Sequence, residues 1–291
     1  MQAVGFYLLL PFLYLISILP FPVFYLFSDF VFVIVYYVLG YRKKVVLQNL
    51  RNSFCEKSEK EITLLCLKFF RYFCDMSLEI LKTLTISRKS MLKRCKRNEG
   101  ALHLFQKYYE EKKSLIIVLG HLGNWEWSGN TFSIMCKQQL YTIYHPLENK
   151  YFNKFSTGIR TRFGTKLIEM KNVFRDMVKV KNEINATAFI ADQTPHPDNA
   201  YWTTFLNQDT PVFKGTEVIA KKLNYPIIFT TVKRINRGYY EIFAELLCEN
   251  PSSTSEGEIS EMHSKKLEAE IRKNPETWLW SHRRWKHKRP N

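Results

Sequence analysis

The stretch SLIIVLGHLGNWEWSGN, residues 114–130, places two ionisable side chains directly after a short apolar segment. Leu115–Leu119 has the length and composition of a buried strand, so we expect His121 at its carboxyl end and Glu126 in the first turn of the next helix. Two residues five positions apart on one helix point about 140° apart. The pair can therefore meet only if His121 stays in the loop, where Gly123 allows a tight bend.

Such a pair is suited to general-base chemistry. A carboxylate that accepts a hydrogen bond from one ring nitrogen fixes the tautomer, and the other nitrogen can then take a proton from a hydroxyl. We predict that Glu126 orients His121 in this way. Ser128 stands outside any nucleophile-elbow motif, which favours direct attack by a substrate hydroxyl over a covalent intermediate. A purely structural histidine is the alternative that the spacing leaves open.

The composition describes a strongly basic chain that is long enough to bury a core without disulfides. Its 291 residues include 43 Lys and Arg against 27 Asp and Glu, a formal net charge of +16. This charge attracts phosphates, anionic headgroups or acidic proteins. We expect no nucleic-acid partner, because the chain carries no recognisable binding motif. The six cysteines form no CxxC pair and lack histidines at zinc-ligand spacing, so we expect reduced thiols and no metal site.

The first 41 residues contain a single charged side chain, Asp29, and end at a basic triplet, 42–44. The run is long enough for one tilted crossing, since about 20 apolar residues span a bilayer. Pro20 and Pro22 divide it into two halves, so a re-entrant or interfacial helical pair is an equal alternative, and a buried hairpin of a soluble protein also stays open. The run lacks the marks of a cleaved signal peptide. The basic triplet predicts that the following domain faces the cytoplasm.

Apolar runs alternate with helical patterns after Gly100, which predicts an α/β fold with a mostly parallel sheet flanked by helices. In such folds the ligand lies at the carboxyl ends of the strands. Gly238 allows a turn between the last two runs, which favours a hairpin at the sheet edge. The predicted strands are 115–119, 141–144, 167–168, 187–191, 226–235 and 239–247, and the predicted helices between them are 125–137, 150–163, 173–181 and 216–223.

We divide the chain into three parts. Residues 1–41 form a membrane anchor or re-entrant helical segment, and residues 42–100 form an amphipathic helical linker region. Residues 101–291 form the α/β catalytic domain, whose last helix is expected to run into the basic tail SHRRWKHKRP. Beside a membrane, the cations of that tail would contact anionic lipid, and its tryptophans suit either an interfacial belt or the core.

The order of several motifs resembles one family along nearly the whole chain. His-x4-Glu after an apolar strand, behind an N-terminal membrane segment, resembles the signature of the glycerolipid acyltransferase superfamily. More narrowly, the chain is similar to the bacterial lipid A late (secondary) acyltransferases. The likeness is carried by YRKKVVLQNL, GHLGNWE, YHPLENKYFNKFSTGIRTRFG, ADQ and PETWLWSHRRWK. The chain departs from this family after AD, where a Tyr-Gly-containing stretch is replaced by QTPHPDNAYWTTFLNQDTPVFKG.

The resemblance implies roles for individual residues. His121 becomes the catalytic base, with Glu126 as its acidic partner. The substrate-binding residues are expected to be Arg160, Arg162, Asp192, Asn124, Lys214 and Gly215. An arginine at a strand–helix junction can bind a phosphate or the thioester region with two hydrogen bonds, and a helix start after Lys214 and Gly215 can present backbone N–H groups to an anion.

The implied activity is a membrane-bound O-acyltransferase that moves a fatty acyl chain from a thioester to a hydroxyl of a lipid A precursor. Acyl carrier protein is the expected donor and partner, with acyl-CoA open, and no metal or other cofactor is expected. The expected location is the bacterial inner membrane, with the catalytic domain facing the cytoplasm. A lysophospholipid or aminolipid acceptor is the alternative within acyl transfer. An inactive membrane-anchored binding protein is the alternative of another class.

Overall fold

The computed structural model describes residues 2–290, and nine strands run through this part of the chain. The strands are β1 (Cys95–Arg97), β2 (Leu115–Leu119), β3 (Gln139–Tyr144), β4 (Lys166–Glu169), β5 (Asn185–Ile190), β6 (Ala200–Phe205), β7 (Gln208–Phe213), β8 (Ile227–Asn236) and β9 (Tyr239–Cys248). Seven strands form one sheet in the order β1-β9-β8-β2-β5-β3-β4, and β6 and β7 form a separate antiparallel pair. The five strands from β8 to β4 are parallel, whereas β9 is antiparallel to β8.

Eleven α-helices belong to the same described residues. They are α1 (Gln2–Ile18), α2 (Phe21–Val33), α3 (Lys43–Ser53), α4 (Glu59–Lys82), α5 (Arg88–Arg94), α6 (Glu99–Glu110), α7 (Trp125–Met135), α8 (Lys150–Thr161), α9 (Val173–Lys179), α10 (Gly215–Leu223) and α11 (Glu258–Lys273). A π-helical turn, Ile34–Val38, extends α2, and the two together are called the α2 segment. Asparagine side chains cap α6, α7 and α8, where Asn98, Asn124 and Asn149 accept backbone N–H groups of the first turn.

The core has two layers because β2 is covered on both faces. Its residues are all buried, as expected for a continuous apolar run in a parallel sheet. Leu115, Ile117 and Leu119 pack with α6 and α7 residues such as Phe105. Ile116 and Val118 belong to the opposite cluster, which includes residues of α9, α10 and α11. The predicted α/β fold with a mostly parallel sheet flanked by helices is confirmed.

Several elements differ from the sequence-based expectation. The segment 193–215 contains the β6–β7 hairpin, and β1 adds an edge strand before α6. The last helix does not run into the basic tail, since α11 ends at Lys273. The tail packs on α3, where Asn49 Nδ2 donates to the carbonyls of Trp280 (2.9 Å) and His282 (3.0 Å). Trp280 and Arg284 are both buried, so this part of the tail belongs to the body of the protein.

The N-terminal helices attach to this body through buried polar contacts. Within residues 2–290, Phe21–Val38 is the one helical segment long and apolar enough to cross a membrane by length and composition, with a mean hydropathy of 1.9. Its single charge, Asp29, pairs with Arg237 of the β8–β9 turn at 2.7 Å. Arg237 also pairs with Asp75 of α4, and Arg234 completes the cluster at 2.7 Å from the same carboxylate. Asp75 therefore joins α2, α4 and the hairpin.

We expect Asp75→Ala to destabilise the protein by about 3–5 kcal/mol, because removing one member of a buried ion pair leaves its partners without compensation. Thermal unfolding in detergent would measure the loss. Asp176→Ala is the matched control, since Asp176 pairs with Lys179 and Arg175 at the surface and its loss should leave the melting temperature unchanged. Equal melting temperatures for Asp75→Ala and the wild type would contradict this account of the N-terminal attachment.

Candidate active site

The carboxyl ends of β2 and β5 bring His121 and Asp192 together. Leu119 and Ile190 are register partners in these neighbouring parallel strands, and each side chain of interest follows its strand end by two residues. His121 and Asp192 therefore lie side by side at the carboxyl edge of the sheet. His121 Nδ1 lies 2.6 Å from Asp192 Oδ1, and the backbone N–H of His121 donates to Oδ2 at 2.7 Å. One carboxylate thus fixes both the ring and the main chain of the histidine.

Asp192 is held as a buried carboxylate. Its side chain is 3% exposed, against 16% for His121, and Trp278 Nε1 donates a further hydrogen bond of 2.8 Å. Burial alone would raise the pKa of Asp192, but the attraction of His121 and the hydrogen bonds from His121 and Trp278 outweigh it and hold the pKa well below its usual range. An ionised Asp192 accepts a hydrogen bond from Nδ1–H, and in this tautomer of the neutral imidazole the lone pair is on Nε2.

Glu126 pairs with Arg160 instead of His121, which corrects the pairing predicted from the sequence. The guanidinium of Arg160 donates from Nε (2.9 Å) and Nη2 (2.7 Å) to Glu126 Oε1. His121 stays in the loop as predicted, but its ring turns towards the end of β5, and Trp125 packs against it with the ring centroids 4.8 Å apart. Glu126 therefore fixes the direction of Arg160.

A cavity of about 380 Å³ lies in front of these groups. It is lined by His121, Arg160, Gln193 and Gly215, together with apolar side chains of β3, β5 and α10 such as Ile143. Gln193 Nε2 lies 3.4 Å from His121 Nε2. The cavity thus combines a base, a cation and an amide with apolar walls, which suits a substrate that is part polar and part hydrocarbon.

Three of the residues expected to bind substrate have side chains that contact other parts of the protein. Asn124 is fully buried, where it caps α7 and donates to Glu79 Oε2 at 2.9 Å. Arg162 Nη1 donates to the carbonyls of Thr83 and Ile86, so it ties α8 to the end of α4. Lys214 pairs with Glu256 at 3.4 Å on the surface. The structure does not bring these three side chains to the cavity, because capping, the packing of α8 and a surface ion pair direct them elsewhere. The neighbouring Gly215 does line the cavity.

The loop that carries His121 is fixed from several sides. Gly123 has a φ of +66°, and a Cβ there would lie 2.1 Å from the carbonyl oxygen of Val232 in β8. Its N–H donates to Thr277 O at 3.1 Å, and Leu279 N donates to His121 O at 3.1 Å. The glycine is required both for the left-handed backbone and for this close approach.

Glu79 of α4 also holds the loop that carries His121. Its carboxylate accepts hydrogen bonds from Asn124, from Tyr240 of β9 (2.6 Å) and from Tyr25 of α2 (2.8 Å). Trp127 Nε1, from α7, donates to its backbone carbonyl at 2.8 Å. Burial raises the pKa of Glu79 to about 7, although the three side-chain hydrogen bonds act in the opposite direction. A buried acid therefore connects α2 to the start of the active-site helix.

Sequence reasoning missed Gln193 and Trp278 as parts of the site. Gln193 directly follows Asp192 in ADQ, and its position next to a strand end is the signal that could have found it. Trp278 lies 86 residues from its partner Asp192, and no local pattern could reveal that contact. The role of Asp192 itself, as the partner of His121, depends on the strand order and not on spacing along the chain.

The fold and the site define an α/β enzyme with a histidine base, oriented by a carboxylate, at the ends of parallel strands. The chain belongs to the bacterial lipid A biosynthesis acyltransferase family, which it matches over residues 1–287. It is accordingly an acyltransferase that acts on lipid A, and its family is bacterial and membrane-associated. A comparison with curated proteins found no match.

We expect Glu79→Gln to change how stability depends on pH. A folded-state pKa of about 7 against an ordinary 4.5 means that Glu79 stabilises the fold fully below pH 4.5 and loses this contribution as the pH rises to about 7. The loss amounts to about 3 kcal/mol. The variant carries a neutral amide at every pH and has no such loss. Denaturant unfolding of both proteins should therefore show a free-energy difference that shifts in favour of the variant between pH 4.5 and 7, and a difference that stays constant would contradict the prediction.

Proposed function

We propose that His121 is the general base of an acyl transfer from a thioester to a hydroxyl of a lipid A precursor, and that Asp192 is its positioning residue. The observation that carries the proposal is the hydrogen bond between His121 Nδ1 and Asp192 at 2.6 Å, beside a cavity that His121 lines. The family membership favours the lipid A acceptor over the lysolipid alternatives and favours an enzyme over an inactive binding protein.

In the proposed reaction, His121 Nε2 takes the proton of the acceptor hydroxyl while the oxygen attacks the thioester carbonyl carbon. The tetrahedral intermediate collapses, the new C–O bond remains and the C–S bond breaks. The imidazolium returns its proton to the departing thiolate. Asp192 stabilises the imidazolium throughout, because its negative charge is buried beside the ring. The side chains and the two substrates account for every proton, so the proposal includes no metal or other cofactor.

The developing oxyanion needs a donor aimed at it from the protein. The backbone N–H of Gly123 already donates to Thr277 O. Arg160 and Gln193 line the same cavity as His121 and are the proposed donors. Glu126 acts on the reaction through Arg160, because it holds the guanidinium with two hydrogen bonds.

The donor is proposed to be acyl carrier protein, with acyl-CoA as the alternative. A net charge of +16 supports an acidic protein donor, since opposite charges speed association. We also propose that the enzyme works at the inner membrane with its catalytic body in the cytoplasm. Support comes from the basic residues 42–44, which directly follow the apolar N-terminal run and complement the anionic cytoplasmic leaflet.

The acyl chain is proposed to lie between α7 and the sheet. A small cavity of about 50 Å³ beside Glu126 and Arg160 shares Ile143 and Ile190 with the main cavity. A second small cavity, also about 50 Å³, continues beneath α7 and shares Gly129 with it. This path is mostly apolar and leads away from His121, which suits a hydrocarbon chain whose thioester carbon stays at the base.

We expect His121→Ala to abolish acyl transfer and Asp192→Asn to lower kcat by about 10⁴, as the equivalent change does where an aspartate orients a catalytic histidine. Glu126→Gln should have a smaller effect, because a glutamine oxygen can still accept from Arg160. Steady-state transfer from labelled acyl carrier protein to a tetraacyl lipid A precursor would measure all three.

Asp198→Asn is the matched control, since Asp198 and His196 form a similar pair at 3.4 Å on the exposed surface. It should retain wild-type kcat. If Glu126→Gln were more damaging than Asp192→Asn in folded protein, the assignment of Asp192 as the partner of His121 would be overturned.

Gly129→Leu is expected to shift the enzyme towards shorter acyl donors, because the new side chain fills the junction of the two small cavities. One methylene in an apolar site is worth about 1–3 kcal/mol, so the ratio of kcat/KM for short and long donors should change about tenfold or more. Competition between acyl carrier protein donors of different length would measure it. Gly158→Leu, at an exposed position of α8, should keep the original preference. If Gly129→Leu kept the wild-type preference for donor length, the acyl chain would not lie between α7 and the sheet.

A further inference from the structure

The N-terminal helices present a broad apolar surface to the outside of the protein. Only 22% of the residues of Phe21–Val38 are buried, and one side of the segment is exposed. The exposed large side chains of α1 and of the α2 segment are Val4, Tyr7, Leu8, Leu9, Phe12, Tyr14, Leu15, Ile18, Val23, Leu26, Phe30, Val33, Tyr37 and Val38. A surface of this size and composition marks a contact with another apolar phase.

The opposite side of the α2 segment is attached to the body along its entire length. Just before its start, Lys82 Nζ donates to Leu19 O at 2.6 Å. In the middle, Ser28 Oγ donates to Asp75 Oδ1 at 2.7 Å. At its end, Tyr36 packs on Phe70 with the ring centroids 5.4 Å apart. The partners Lys82, Asp75 and Phe70 all belong to α4, so the α2 segment lies along α4 and does not project from the body.

The first helix is held in the same way at both of its ends. Near its start, Phe6 packs on three aromatic residues of α8, with a centroid distance of 5.2 Å to Phe152. Near its end, Ser17 Oγ lies 2.8 Å from Thr85 Oγ1. Both apolar helices therefore lie flat on the body, with their outer faces uncovered.

Charged groups stand midway along the α2 segment, where a crossing helix would meet the bilayer centre. The side chains of Asp29 and Arg237 are 48% and 37% exposed. Arg71 of α4 is also exposed and lies over the ring of Phe32, with its guanidinium carbon 5.1 Å from the centroid. Exposed charges at the bilayer centre are costly. A crossing α2 segment would also draw α4 and the β8–β9 turn into the hydrocarbon.

We propose that α1 and the α2 segment rest in the plane of the bilayer surface, with their outer apolar face in the lipid and neither helix crossing it. An in-plane helix pair buries its apolar face while its polar side stays at headgroup level, which is where Asp29 and Arg237 then lie. The exposed cations Arg42 and Lys44, directly after the pair, complement anionic headgroups of the same leaflet. The lipid surface is thus the partner of this face.

Depth measurements along the outer face of the α2 segment would test the proposal. Single cysteines at Val23, Leu26, Phe30, Val33 and Tyr37, all exposed, would carry a fluorophore. The full chain would have the exposed and partly exposed cysteines replaced (Cys55→Ser, Cys136→Ser and Cys248→Ser) and would be reconstituted in liposomes with anionic lipid. Lipids with quenchers at different depths would locate each label. An in-plane helix places all five at one shallow depth, about 5–10 Å below the headgroups.

A crossing helix gives a different profile. Phe30 would then be deepest, about 15 Å from either face of a hydrocarbon core about 30 Å thick, with Val23 and Tyr37 near opposite faces. That result would overturn the proposal. Glu256→Cys, at a side chain that is 83% exposed on the body, is the unquenched control.

Labelling from one side gives a second, independent readout. Pro20 lies between the two helices and is exposed. In sealed membrane vesicles, an impermeant maleimide should react with Pro20→Cys and Glu256→Cys from the same side. Reaction from opposite sides would show that the helices form a crossing hairpin and would overturn the proposal.

Discussion

The catalytic geometry depends on one buried carboxylate. Asp192 accepts hydrogen bonds from the ring and the main chain of His121 and from Trp278. Because an unpaired buried carboxylate is costly, these three groups must close around it whenever the sheet forms. The contact therefore joins the centre of the sheet, the loop before α7 and the end of the chain in one arrangement. Trp278, Trp280, Ser281 and Arg284 are consequently buried, so this segment packs on the body and is not a loose basic tail.

A second level of support comes from α4, which carries two buried acids one helical turn apart. Asp75 accepts hydrogen bonds from Ser28, Arg234 and Arg237, whereas Glu79 accepts hydrogen bonds from Tyr25, Tyr240 and Asn124. The first acid fixes α2, and the second fixes the loop that precedes α7. The apolar helices and the active-site loop thus share one support, and neither can shift far without breaking buried hydrogen bonds.

Local patterns are enough for the elements of the sheet but not for the partners of the site. The prediction of Leu115–Leu119 matches the structure, because an apolar run covered on both faces has a distinct composition. The partner of His121 is not predictable from spacing, because β5 becomes the neighbour of β2 only in the folded strand order. Glu126 is close in sequence, but α7 directs it to Arg160. The β6–β7 hairpin escapes prediction because its turn, Leu206 and Asn207, lacks glycine although both residues have positive φ.

Helix α8 has two different sides. One side carries the aromatic residues that pack against Phe6 of α1, and the other carries Asn153, Thr157 and Arg160 along the cavity wall. The cavity that His121 lines and the surface that packs against α1 are therefore separated by the thickness of a single helix. An enzyme that lies on the bilayer in the proposed way meets its lipid by lateral diffusion within a leaflet, so its rate follows the mole fraction of acceptor in the surface. Dilution of the acceptor with inert lipid then acts as dilution of substrate, even at constant bulk concentration.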